Sequence, residues 1–197
     1  REFAACEVEA ERSEDAAERA TRIRSGQDPV PFFWHLHFRA VFERENRGFD
    51  IVIGNPPYVS SQNLGSRDAV AVQAYKKRFQ TMNQGNINLY AGFVERAIEL
   101  AGSDGEVAFI MPNFARVGSA QGLRVFLGER GAIKLWIDFG DIQVFPSASN
   151  YVILLFAEAK KNRRQTFPCR IVDAEQWTVR SEEDWFIGGQ TNRISCR

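Results

Sequence analysis

A short apolar run, Phe49-Asp50-Ile51-Val52-Ile53-Gly54, stopped by Asn55-Pro56-Pro57-Tyr58, constrains this chain more than any other stretch. The β-branched run predicts a buried strand. Two successive prolines remove two ladder donors and fix two φ angles, so the strand must end there in a rigid turn. Such a turn holds an amide and an aromatic ring at the end of a strand. In open α/β sheets, ligands bind at the carboxyl ends of the strands. Taken alone, Asn-Pro starts ordinary turns, and an aromatic after it usually packs. At a strand exit, the same pair suits chemistry on the amino group of a planar base.

The rest of the chain predicts an α/β fold. Residues 1–24 are rich in Glu, Arg and Ala and predict a charged, exposed helix that ends by Gly26, Pro29 and Pro31. Phe32, Trp34, Leu36 and Phe38 alternate, which predicts an extended segment, with a helical turn at Phe38, Val41 and Phe42. A helix is expected over 69–79. Another is expected over 89–101, capped by Asn88 and closed by Gly102 and Gly105. Strands are expected near 49–53, 106–111, 133–139 and 151–157, with a helix around Leu123, Phe126 and Leu127 that stops near Gly131. The connection between the last two strands has no helical pattern, so they should pair antiparallel. The reading divides the chain into a charged helical extension (1–30), an α/β domain (31–160) and a linker or recognition region (161–197).

Composition excludes several classes. The 197 residues carry 25 Lys+Arg and 25 Asp+Glu, so the chain is not a bulk basic nucleic-acid binder, although a local patch remains open. Lys160, Lys161, Arg163 and Arg164 form such a patch, read as phosphate contacts or as a solvated linker. Three scattered cysteines give neither a zinc spacing nor a disulfide framework, and a reducing cytoplasm is the default. His35 and His37 lack further ligands at metal spacing. Asp138-Phe139-Gly140 copies a kinase triplet without the accompanying loops and reads as a strand exit. No apolar run is long enough to span a bilayer.

Together these pieces resemble the N6-adenine DNA methyltransferases of type IIG restriction-modification systems. Asn55-Pro56-Pro57-Tyr58 is similar to the family's catalytic motif, and residues 49–54 to its lead-in strand. The aromatic segment Pro31–Phe38 with Val41-Phe42, the Asn88-Leu89-Tyr90 helix start, Val107–Asn113, Ile137–Gly140 and Val144-Phe145 follow in the family's order. The resemblance covers roughly residues 30–160. It implies part of a Rossmann-like class I methyltransferase sheet, with S-adenosylmethionine as cofactor and double-stranded DNA as partner. It implies catalytic roles for Asn55, Pro56 and Tyr58, and target-base contacts from Pro57, Phe145 and Tyr151.

The departures carry expectations of their own. The family's glycine-rich cofactor loop should lie upstream of the motif, yet residues 1–48 hold only Gly26 and Gly48. Arg39-Ala40 stands where the family usually has Pro-Glu. With Arg1 at the start rather than Met, the chain reads as the rear half of a methyltransferase domain, inactive by itself. Strand 49–53 should then be an open edge that self-associates or is covered by residues 1–45. RNA-base or protein-glutamine methylation and a non-catalytic DNA- or partner-binding role stay open.

Overall fold

A computed structural model describes residues 13–26, 32–65, 69–83, 88–115, 117–145, 151–162, 164–172 and 191–195. The chain divides into two compact units, Arg1–Ala40 and Val41–Arg197.

In the first unit, α1 spans Ser13–Arg24 and α2 spans Trp34–His37. Helix α2 corrects the extended segment expected there. The alternating aromatics pair along a helical turn instead: Trp34 and Phe38 stack with centroids 5.8 Å apart, and Phe32 stacks on His37 at 4.3 Å. The Phe38 N–H donates to the Trp34 carbonyl at 2.9 Å. The i,i+4 spacing of Trp34 and Phe38 outweighs the period-two alternation of the segment. Residues 1–12 of the expected first helix lie outside the described residues. Helix α3, Arg39–Glu43, runs into the second unit.

The second unit is an α/β sheet. Its elements are β1 (Phe49–Gly54), α4 (Ser61–Gly65), α5 (Ala69–Arg78), α6 (Leu89–Leu100), β2 (Ala101–Pro112), α7 (Gln121–Arg130), β3 (Ile133–Asp138), β4 (Val152–Glu158), β5 (Thr166–Ile171) and β6 (Thr191–Ser195). The strand order is β1-β2-β4-β3-β5-β6. β1 and β2 are parallel, β4 runs antiparallel between β2 and β3, and β5 is parallel to β3. The exits of β1, β2 and β3 therefore meet the start of β4 at one edge.

Two boundaries differ from expectation. β2 begins at Ala101, directly after α6, so Gly102 and Gly105 lie in the strand rather than closing the helix. A Cβ on Gly105 would stand 2.5 Å from the Phe49 carbonyl, and the β1–β2 register shifts between Phe49 and Ile51. Glycine is needed for that close approach, not for a cap. The sheet also continues past residue 160: β5 pairs with β3, and Trp136 packs against Phe167 at 6.2 Å and Phe114 at 4.9 Å. The change of character at residue 161 is thus no break in the sheet.

The core lies between one sheet face and helices α6 and α7. Val94, Val107, Met111, Leu123, Leu127, Ile153 and Leu155 are sealed there. On the opposite face, Ile137, Phe139 and Val152 form a smaller cluster with Leu154 and Phe156 partly buried around it. β1 ends the sheet, with Ile51 68% and Ile53 80% exposed, so an apolar edge strand is what the structure presents.

Candidate active site

The corner after β1 builds the site. The φ angle of Pro56 is fixed and its side chain is buried, which anchors the turn, while Pro57 is exposed. Asn55 is exposed at the strand exit, and its side chain makes no hydrogen bond among the described residues. Tyr58 is half-buried and packs against both apolar clusters. Its hydroxyl donates to the Ile110 carbonyl at 3.3 Å. Burial pushes the phenol above its ordinary value, so it stays a protonated donor. The corner therefore presents an unengaged amide beside a held ring.

Neighbouring elements fix its far side. Ser60 bridges Asn88, and the Leu89 N–H donates to the Val59 carbonyl at 2.9 Å, so the chain after Tyr58 is tied to the start of α6. Asn88 occupies the N-cap position, but its side chain makes no capping bond. Its Nδ2 instead donates to Ser119 Oγ at 3.1 Å and to the Tyr90 hydroxyl at 3.4 Å. Beyond Ser119 lies a cleft of about 580 Å³ lined by Gln80, Thr81, Asn83, Gln121 and Phe126. Glu95, buried on α6, accepts from the Gln80 and Thr81 N–H groups at 3.1 and 2.9 Å and holds that cleft's rim. The sequence marks Glu95 only as an acid on the apolar face of a helix.

The other expected residues divide. Phe145 is half-buried and packs on the Ile137–Phe139–Val152 cluster that also receives Tyr58. Tyr151 lies at the same edge, 61% exposed, immediately before β4. The basic run does not join them. Glu158 pairs with Glu106, at the end of β4 away from the corner, and Lys160 and Lys161 follow it, exposed. The length of β4 separates them from Tyr151 by about 20 Å. Arg164 is engaged internally, donating to the Ile133 carbonyl at 2.8 Å and to Glu158 at 3.3 Å. Arg163 lies outside the described residues. A local basic cluster is legible in sequence, whereas the edge it occupies depends on β4 reversing direction.

Four strands run one way, β4 is inserted antiparallel among them and β6 is antiparallel at the far edge; with the proline-braced corner at the carboxyl ends, this is a Rossmann-like sheet of the class I methyltransferase kind. Within that class, the chain belongs to the Eco57I restriction-modification methylase family, whose profile matches residues 5–145. It is 28% identical over 155 residues to the type II restriction enzyme and methyltransferase RM.Eco57I of Escherichia coli, covering 78% of this chain and 15% of that protein. It is 30% identical over 125 residues to the type II methyltransferase M.XhoI of Xanthomonas vasicola, covering 62% of this chain and 22% of that protein. The chain thus spans less than a quarter of either relative. Among solved structures, the DrdV–DNA complex superposes with a TM-score of 0.53 at 16% identity, over 75% of this chain and 17% of that one. The type IIG restriction endonuclease BpuSI gives 0.52 at 17% identity, over 74% and 19%. These two show the shared fold.

Among the described residues, no group of three or more His, Cys, Asp or Glu side chains could hold a metal ion, and no helix is long and apolar enough to cross a membrane.

Proposed function

We propose that the full-length protein is an S-adenosylmethionine-dependent DNA methyltransferase of a restriction-modification system, and that it methylates the N6 amino group of an adenine turned out of the duplex. The exposed, unengaged amide of Asn55 on its braced corner carries this reading. The exocyclic nitrogen of adenine is a poor nucleophile because its lone pair is delocalised into the ring. Asn55 Oδ1 and the Pro56 carbonyl accept its two hydrogens, which favours a pyramidal nitrogen with the lone pair available. The protein's part is orientation and electrostatics. The Tyr58 ring stacks on the extruded base, Phe145 closes on it from the adjoining cluster, and Pro57 and Tyr151 rim the opening. An amide and two rings at one edge suit a nucleobase better than a flexible side-chain amide.

The described residues fit the target base and not the cofactor. No glycine-rich turn follows a strand among them, and Asp138, the acid at the exit of β3, has both carboxylate oxygens engaged. S-adenosylmethionine would supply the methyl group in the full-length protein. Lys160 and Lys161 serve this reading only as phosphate contacts away from the target base.

The test is labelled-methyl transfer by the full-length protein to DNA, RNA and protein acceptors, with adenine and cytosine products resolved. We expect N6-methyladenine in DNA alone, abolished by Asn55→Ala. Wild-type turnover by that variant, or label on another acceptor, overturns the reading. The 197-residue chain by itself is expected to transfer no methyl group and to give no tight S-adenosylmethionine isotherm in calorimetry.

A further inference from the structure

We propose that Asn113 and Asp138 form a positioning clamp that sets the segment 139–145, which carries Phe145, against the Asn55 corner and so governs entry of the target base. The proposal rests on the methyltransferase reading and adds residues to it. β2 and β3 lie on either side of β4, so the exits of β2 and β3 flank the first residues of β4. Asn113 follows β2 and Asp138 ends β3. Their side chains meet across the start of β4, with Asn113 Nδ2 donating to Asp138 Oδ2 at 2.9 Å.

The direction of that bond is fixed from both sides. Asn113 Oδ1 accepts from the Ala115 N–H at 3.1 Å, which leaves only the amide nitrogen facing Asp138. Asp138 Oδ1 accepts from the Gly140 N–H at 2.9 Å, in a turn where Gly140 takes φ +53°. The Asn113 backbone N–H donates to the Tyr151 carbonyl at 2.9 Å. Asn113 therefore holds two points at this edge, Asp138 at the exit of β3 through its side chain and Tyr151 ahead of β4 through its backbone.

Phe145 ends the segment 139–145 that follows Asp138. The Ile142 N–H donates to the Phe139 carbonyl at 3.0 Å, and the Phe139 ring is buried under the cluster that receives both Phe145 and Tyr58. A rotation at Asp138 would turn the segment 139–145 and shift Phe145 relative to Tyr58. Apolar residues would close this edge without specifying a direction, whereas a satisfied polar pair fixes one. Every side-chain oxygen and nitrogen of the pair is engaged within the protein, so the two act through Phe145 and do not touch the base.

The geometry supplies its own test. Exchanging the two residues, Asn113→Asp with Asp138→Asn, preserves every hydrogen bond with the central donor reversed. The carboxylate then at position 113 still accepts from the Ala115 N–H through one oxygen. The amide then at position 138 still accepts from the Gly140 N–H through its oxygen, and its nitrogen donates to the second oxygen of that carboxylate. Each single change breaks the pair, because N113D sets two carboxylates face to face and D138N sets two amide NH2 groups face to face. The full-length protein would carry N55A, N113D, D138N and the double exchange. Each would be measured for kcat, KM for DNA, thermal midpoint, and fluorescence of 2-aminopurine placed at the target base.

Each single variant should raise KM for DNA about tenfold and weaken the fluorescence rise, and the double should return to within about threefold of wild type. Singles with wild-type KM and fluorescence overturn the clamp, as does a double no better than the singles or one that fails to fold. The N55A arm separates the two proposals. If N55A turns over, the methyltransferase reading falls, and if N55A is inactive while the pair is silent, only the clamp falls.

Discussion

Asn55 and Tyr58 sit three residues apart and do opposite things structurally. The Asn55 amide is exposed and unengaged, whereas Tyr58 is held by Ile110 and by two apolar clusters. Substituting Asn55 should therefore cost activity without cost to folding: we expect the thermal midpoint of Asn55→Ala in scanning calorimetry to match wild type. Tyr58→Phe keeps the ring and loses one hydrogen bond, so methyl transfer should stay within about fivefold of wild type. Tyr58→Ala removes the stacking surface, worth about 1–3 kcal/mol, and should lower kcat/KM for DNA by about tenfold to hundredfold. The amide–ring–proline set is legible in the sequence because its four residues are consecutive. Glu95 is not, because its partners, Gln80 and Thr81, reach it only once α6 has folded back along the preceding turn.

Between elements, α5 and α6 are joined by Arg78, whose guanidinium forks onto Glu99 at 2.6 and 3.1 Å, with Arg96 adding a third bond at 3.1 Å. Burial of Glu99 works to raise its pKa, but the hydrogen bonds and charges of Arg78 and Arg96 outweigh it and hold the carboxyl below its ordinary value of 4.5. A depressed folded-state pKa stabilises the protein above the unfolded value, and that contribution is lost as pH falls through the lower, folded one. Urea titrations should show stability declining from about pH 4.5 downward, with a shallower decline in Glu99→Gln. Trp136 joins β3 to β5 through Phe167 and to the exit of β2 through Phe114. At 4% exposure, its replacement by Ala should cost about 3–5 kcal/mol in the same titrations. The periodicity of α6 and α7 is readable, although Phe93, on the expected apolar spacing, is 48% exposed. The α2 turn is not, because Phe32, Trp34, Leu36 and Phe38 satisfy a period of two, while Trp34 and Phe38 also satisfy one of four.

For the whole molecule, the sheet is unequal. One face is covered by α6 and α7, and the β1 edge is apolar and terminal. An edge strand carrying exposed Ile51 and Ile53 invites pairing with another chain. We expect the 197-residue chain to self-associate in sedimentation velocity, and Ile53→Lys to shift it toward monomer. A monodisperse wild-type chain at high concentration would count against association through this edge. The basic run illustrates what sequence distance conceals. Lys160 follows Tyr151 by nine positions but leaves at the far end of β4, so charge that looks adjacent to the site in sequence stands a strand length away.

The sequence by itself determined the features whose causes are local. Two prolines must stop a strand, a β-branched run favours extension, and apolar residues at helical spacing favour a helix with one apolar side. Tertiary structure alone decided the pairing of Asn113 with Asp138, the internal engagement of Arg164 and the edge on which Lys160 emerges. Each depends on β4 inserting antiparallel between β2 and β3, an arrangement set by how whole sheet faces bury apolar area and not by any residue's neighbours in the chain.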